Sequence, residues 1–186
     1  MKEKKQFSCS DCETLGCSQQ GNRFPTDCLG DGVDSARFLE LYKNDRIISK
    51  VSIAAAEVNY NHTRVQETIA FAKKIGAKKV GISACIALIK EAKNFAKILD
   101  THGIENFCVN CKVGSIEKSE IGVTEKGCLC NPILQAEILN QQETDLNVII
   151  GLCIGHDSLF TKYSNALVTT LVVKDRVLKH NPVAAL

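Results

Sequence analysis

Tryptophan is absent from this 186-residue chain, and seven Phe with three Tyr make up the whole aromatic set. The core it builds is therefore expected to be aliphatic, drawn from the 45% of residues that are hydrophobic. Long apolar runs are lacking too. The longest, near Val148–Gly155 and Leu171–Val173, fall well short of the about 18 residues that cross a bilayer, so a soluble protein with no membrane partner is expected. A formal net charge of only +2 argues against a nucleic-acid surface, and Lys73, Lys74, Lys78 and Lys79 read as a solvated helix end. Signatures of common chemistries are missing as well. The first expected strand is followed by no G-x-G-x-x-G and no P-loop, and neither a Ser-His-Asp order nor paired carboxylates suggest hydrolysis. Met1–Phe7 carries no apolar stretch of a signal peptide. A cytoplasmic, reducing compartment is the expectation, and disulfides are disfavoured there.

What the chain has in abundance is cysteine, ten residues in all. Four of them, Cys9, Cys12, Cys17 and Cys28, form a C-x2-C-x4-C-x10-C run among Ser, Asp, Gly and Gln. Such a segment cannot bury enough apolar surface to order itself. Thiolates converging on a metal would supply the missing free energy, because metal binding is folding free energy where no core exists. Zinc sites usually arrive as two C-x2-C knuckles, whereas one close pair followed by two stragglers is nearer to iron–sulfur ligation. A [4Fe–4S] cluster is the first expectation and zinc the alternative.

Three stretches follow from the patterning. The cysteine-rich metal-binding segment occupies residues 1–32, and residues 33–186 form the main domain. Asp34 to Ile75 reads as helical. Ala36, Leu39 and Lys43 begin one helix, Asp45 can cap a second carrying Ile48, Val51, Ala55 and Val58, and Thr63-Arg64-Val65-Gln66 reads as the capping box of a third. From Lys78 onward, short apolar runs at Val80–Ile82, Ile104–Val109, Val148–Leu152 and Leu167–Val173 alternate with helical ones. Leu88, Ala92, Phe95 and Leu99 share one helix face, with Gly103 as its stop, and Asn131-Pro132 opens another helix. The expected fold class is α/β: an open, mostly parallel four-stranded sheet with helices on both faces.

That fold gives the remaining cysteines a place. Ligands of open parallel sheets bind beyond the carboxyl ends of the strands, where helix N-termini converge. Cys85, Cys111 and Cys153 follow the first three strands, and Cys130 precedes the Asn131 cap. Together they make a second expected metal site, again iron–sulfur or zinc. Cys108 lies inside the second strand and reads as a small buried hydrophobe, with a Cys108–Cys111 redox pair as its rival; Cys128 could exchange roles with Cys130. His156 follows the third strand, where it could ligate a metal, tune one without ligating it, or serve its own helix end. Asp157 and Ser158 read as caps of that helix. Lys174, Asp175 and Arg176 read as a charged turn or, alternatively, as a cationic hold for an anionic substrate. His62 and His102 sit at helix boundaries, and nothing places His180.

Several motifs carry a resemblance. Gly151-Leu152-Cys153-Ile154-Gly155-His156-Asp157-Ser158-Leu159-Phe160, Val173-Lys174-Asp175-Arg176-Val177-Leu178 and His180-Asn181-Pro182 resemble segments of a cysteine-rich metal-binding protein family of anaerobic prokaryotes. Cys130-Asn131-Pro132-Ile133, Cys111-Lys112-Val113-Gly114 and the N-terminal cysteine run are similar to the same family's other motifs. The resemblance covers nearly the whole chain and implies Cys111, Cys130 and Cys153 as ligands in preference to Cys108 and Cys128. The function expected is an iron–sulfur redox or electron-transfer protein acting on a partner or a small-molecule substrate. A non-enzymatic zinc module for metal storage, delivery or protein contact is the alternative.

Overall fold

The structure is a computed structural model that describes residues 8–18, 24–25, 28–30 and 32–186. It divides into two units, Met1–Ser49 and Lys50–Leu186. The first holds short 3-10 turns at Cys9–Asp11 and Gly16–Ser18, helix α1 (Ser35–Asn44) and the start of α2 (Arg46–Ala56). Asp34 caps α1 by accepting from Ala36 N. Asp45 both ends α1 and starts α2, its carboxylate accepting from the Ile47 and Ile48 amides.

The second unit is built on α3 (Arg64–Ile75), β1 (Lys79–Ala84), α4 (Ile89–Thr101), β2 (Glu105–Asn110), α5 (Pro132–Gln141), β3 (Leu146–Ile150), α6 (His156–Tyr163) and β4 (Leu167–Val172). Helix α3 begins on the capping box formed by Thr63 and Gln66 and ends at Gly76 in the left-handed region, φ 72°. Lys73 and Lys74 occupy its last turn, where the helix dipole favours cations. Asn131 caps α5, with Pro132 at the first helical position.

All four strands are parallel and lie in the order β2-β1-β3-β4. Ile82 stands opposite Cys108 on one side and Val148 on the other. The central strands β1 and β3 are buried almost throughout, as expected of strands covered on both faces. One face packs Val80, Ile82, Ala84, Val148 and Ile150 against Ile69 and Ala72 of α3 and Ala92, Phe95 and Leu99 of α4. The other packs Val109 and Ile149 against Ala136 and Leu139 of α5 and Phe160 of α6. Each fully buried aliphatic or Phe side chain contributes about 1.5–3 kcal/mol, so this sheet is ordered by its own apolar packing. The chain leaves β1 by α4 toward β2 on one side and leaves β3 by α6 toward β4 on the other. The crevice of the fold therefore opens at the carboxyl ends of β1 and β3.

Cys108 departs from expectation. It belongs to β2, but β2 is an edge strand, and the residue is exposed rather than buried. Strand patterning alone does not reveal which strand lies at the edge. Among the described residues, no helix is long and apolar enough to cross a membrane.

Candidate metal centre

Cys85 and Cys111 immediately follow β1 and β2, and Cys153 comes three residues after the end of β3. Parallel pairing puts these three positions at one edge of the sheet. Cys130 reaches the same edge by a backbone tie: Asn131 N donates to Cys111 O at 2.8 Å, while the Asn131 side chain accepts from Leu134 N to start α5. Below them Gln135 Nε2 bonds Val109 O at 2.8 Å and Ala84 O at 3.2 Å, locking α5 to the ends of β1 and β2.

Donors surround the sulfurs. Ile86 N lies 3.3 Å from Cys111 Sγ, Lys174 Nζ 3.1 Å from Cys85 Sγ, and Arg176 Nη2 3.0 Å from Cys153 Sγ. Burial pushes the Cys85 thiol up, but bonds from Lys174 and the Ala87 amide more than offset it, leaving Cys85 below its ordinary value. Cys111 moves the other way, pushed up to about 12 by burial against the Ile86 amide, with the charges of Cys130 and Cys85 adding to the rise. Burial pulls Lys112 down, yet bonding to Cys130 and the charges of Cys111 and Cys128 hold it above its ordinary value. The bonded donors thus prevail at Cys85, and burial prevails at Cys111. Cys111 interacts with both Cys85 and Cys130. Cys153 stands on the same edge, joined to the set through the turn that carries Lys174 and Arg176.

That turn corrects the expectation of a plain charged loop. Asp175 Oδ1 accepts from Val177 N and Leu178 N, Asp175 N donates to His180 Nδ1 at 3.1 Å, and His180 N returns a bond to Asp175 O. Asp175 and His180 thus close the loop, and the cations on either side of Asp175 go to sulfur. Gly151 makes room for this: its φ is +62°, and a Cβ there would strike Leu88 and lie 3.6 Å from the Lys174 stem. Neither the role of His180 nor those of Lys112 and Gln135 was read from the sequence; Lys112 beside Cys111 was the available signal. His156 opens α6, half-buried, its backbone N bonded to Cys153 O at 2.9 Å. The cap of α6 is Gly155 rather than Asp157 or Ser158. Asp157 instead accepts from Ser158 N. His62 bonds the Asn59 side chain in the turn before α3, and His102 bonds Ile98 O at the end of α4.

In the N-terminal unit, Cys9 and Cys17 are exposed, while Cys12 and Cys28 are half-buried. Cys12 is held below its ordinary value by the Leu15 amide and by Thr14. Gly30 N approaches Cys28 Sγ at 3.5 Å. Among the described residues, no three His, Cys, Asp or Glu side chains already stand where they could hold one ion. The donor chemistry nonetheless suits a thiolate-bound metal. Soft sulfur is abundant, and amide N–H groups point at sulfur in both units, the kind of bonding that steadies anionic thiolates. Lys and Arg add to it at the sheet edge.

Residues 31–171 match the family described as "Protein of unknown function (DUF1847)", and the chain belongs to that family. It is also similar to an uncharacterized protein of Methanocaldococcus jannaschii, 45% identical over 188 residues that cover 97% of this chain and 93% of that protein. No solved structure matches. The family match spans the six cysteines from Cys85 to Cys153 and stops short of Lys174 and Arg176.

Proposed function

We propose that this member of the DUF1847 family is an iron–sulfur redox protein. In this reading Cys85, Cys111, Cys130 and Cys153 hold a cluster at the sheet edge, and Cys9, Cys12, Cys17 and Cys28 hold a second, [4Fe–4S] cluster. The observation that carries it is the direction of the N–H donors: Ile86 N, Lys174 and Arg176 each point at a different sulfur of one edge. Four clustered thiolates repel one another, and such donors with their positive charge are what makes the set tolerable in a partly buried place. One-electron transfer is the chemistry a bound cluster supplies there. Lys174 and Arg176 would favour the more negative, reduced state, and His156, tied to Cys153 through its backbone amide, would supply a proton. A small-molecule substrate or an electron-transfer partner would be met at this edge, within a cytoplasmic compartment.

Protein purified without oxygen, with iron, sulfide and zinc counted per chain, tests the reading. Iron and sulfide in comparable amounts are expected, with broad visible absorption that dithionite bleaches and Cys111→Ser diminishes. Colourless protein holding zinc would replace this reading with a zinc module for storage, delivery or protein contact. Protein with no metal would overturn both.

A further inference from the structure

The sheet has two edges, and among the described residues only the β4 edge is blunted. On the β4 side, Arg64 reaches from the start of α3 to Thr170 O at 3.4 Å and Thr169 Oγ1 at 3.0 Å. The β3–β4 ladder also slips register between Ile149 and Ile150. A charge laid over an edge and an irregular ladder both discourage pairing with another strand. Among the described residues β2 has an even ladder and no cation bonded to its outer backbone. It runs in unbroken register with β1 from Glu105 to Asn110 and contains no Lys and no Pro.

The ladder determines which backbone groups of β2 face outward. Glu105 N donates to Lys78 O at 3.0 Å and Cys111 N to Ala84 O at 2.8 Å, so the odd-numbered residues turn inward to β1. Alternation then turns the N–H and C=O of Asn106 and Cys108 outward, together with Asn110 N–H. Among the described residues no hydrogen bond reaches the outward groups of Asn106 and Cys108. Phe107, 39% exposed, lies on the same open edge.

We propose that β2 pairs antiparallel with β2 of a second copy about a two-fold axis at Cys108, joining two four-stranded sheets into one. The sequence of the strand argues for self-pairing rather than for a foreign strand. Asn106-Phe107-Cys108-Val109-Asn110 has the same polarity read in either direction. Antiparallel pairing at Cys108 sets Asn106 against Asn110, Phe107 against Val109, and Cys108 against itself. The one charge of the strand, Glu105, is held by Lys79 at 2.9 Å at its far end. The two copies' Glu105 carboxylates therefore fall at opposite ends of the shared ladder, and these two like charges do not meet. Symmetric, self-complementary contact of this kind is the commonest route to a closed dimer. The inference stands independently of the metal reading.

The test is light scattering after gel filtration of the full chain, purified without oxygen with its native metal and kept reduced. The expected mass is twice the 20.3 kDa of one chain. Cys108→Pro removes one outward N–H and leaves the inward ladder intact, a place where an edge strand tolerates proline. Cys108→Lys places two like charges across the axis. Both variants are expected as monomers with unchanged circular dichroism, and should the proline variant misfold, the lysine variant decides. A short bis-maleimide is expected to join two wild-type copies through Cys108, read by peptide mapping. Wild-type protein that stays monomeric at its highest soluble concentration overturns the proposal, as does a dimer that survives in the folded variants.

Discussion

The two cysteine-rich regions of this chain use the same side chain in opposite settings. Cys9, Cys12, Cys17 and Cys28 lie in a segment with short 3-10 turns and exposed or half-buried thiols. Cys85 and Cys111 are buried at the edge of a sheet whose central strands are almost wholly enclosed. Among its described residues the short turns of the first region bury no apolar side chain, so on the proposed reading its order would come from what its thiolates bind. The second is ordered by its own apolar core, and its cysteines are placed by strand ends, a capped helix and a closed loop. On the proposed reading, one sequence would contain a site that its ligand builds and a site that the fold builds.

Chelation breaks the comparison most directly. Stripping the metal should abolish amide protection around Cys9–Cys28 while β1 and β3 keep theirs, as read by hydrogen exchange; equal loss in both regions would show that the sheet also depends on metal. Next in size, Leu139→Ala should destabilise the sheet by about 2–5 kcal/mol, since Leu139 of α5 is fully buried against the sheet. Denaturant melts of the metal-free protein measure it, and a loss below that range would mean the sheet packs less tightly than described. Lys174→Met should then weaken metal retention at the sheet edge roughly 10–100-fold, the usual cost of removing a residue that bonds a ligand. Competition with a chelator reads it, and Cys12→Ser supplies the contrast by depleting the other site alone. His156→Ala should have a smaller effect still, leaving metal content intact and shifting the reduction potential; lost metal would make His156 a ligand. Cys108→Ala is expected to leave the metal content of both sites unchanged.

Much of the sheet edge was legible in the sequence because strand and helix signals alternate cleanly there. The Thr63 capping box, the Asn131-Pro132 start and the Gly103 stop all have local causes, and local causes survive folding. Placing Cys85, Cys111 and Cys153 at strand ends needed nothing beyond that alternation and the habit of parallel sheets. Cys108 was misread because burial depends on strand order, and strand order is settled by which helix crosses to which face. The cations were misread for a similar reason. Lys174 lies 89 positions from Cys85, and nothing in the spelling of a charged turn says that a thiol waits across the crevice.

The sequence by itself determined the elements, their parallel sense and the residues at their ends, because periodicity, caps and turn residues act over a few positions. Only the tertiary structure decided which edge of the sheet is open, that Asp175 and His180 close a loop, and that Lys174 and Arg176 go to Cys85 and Cys153. Those contacts join segments far apart in the chain, and their energy exists only once the sheet has brought the ends together.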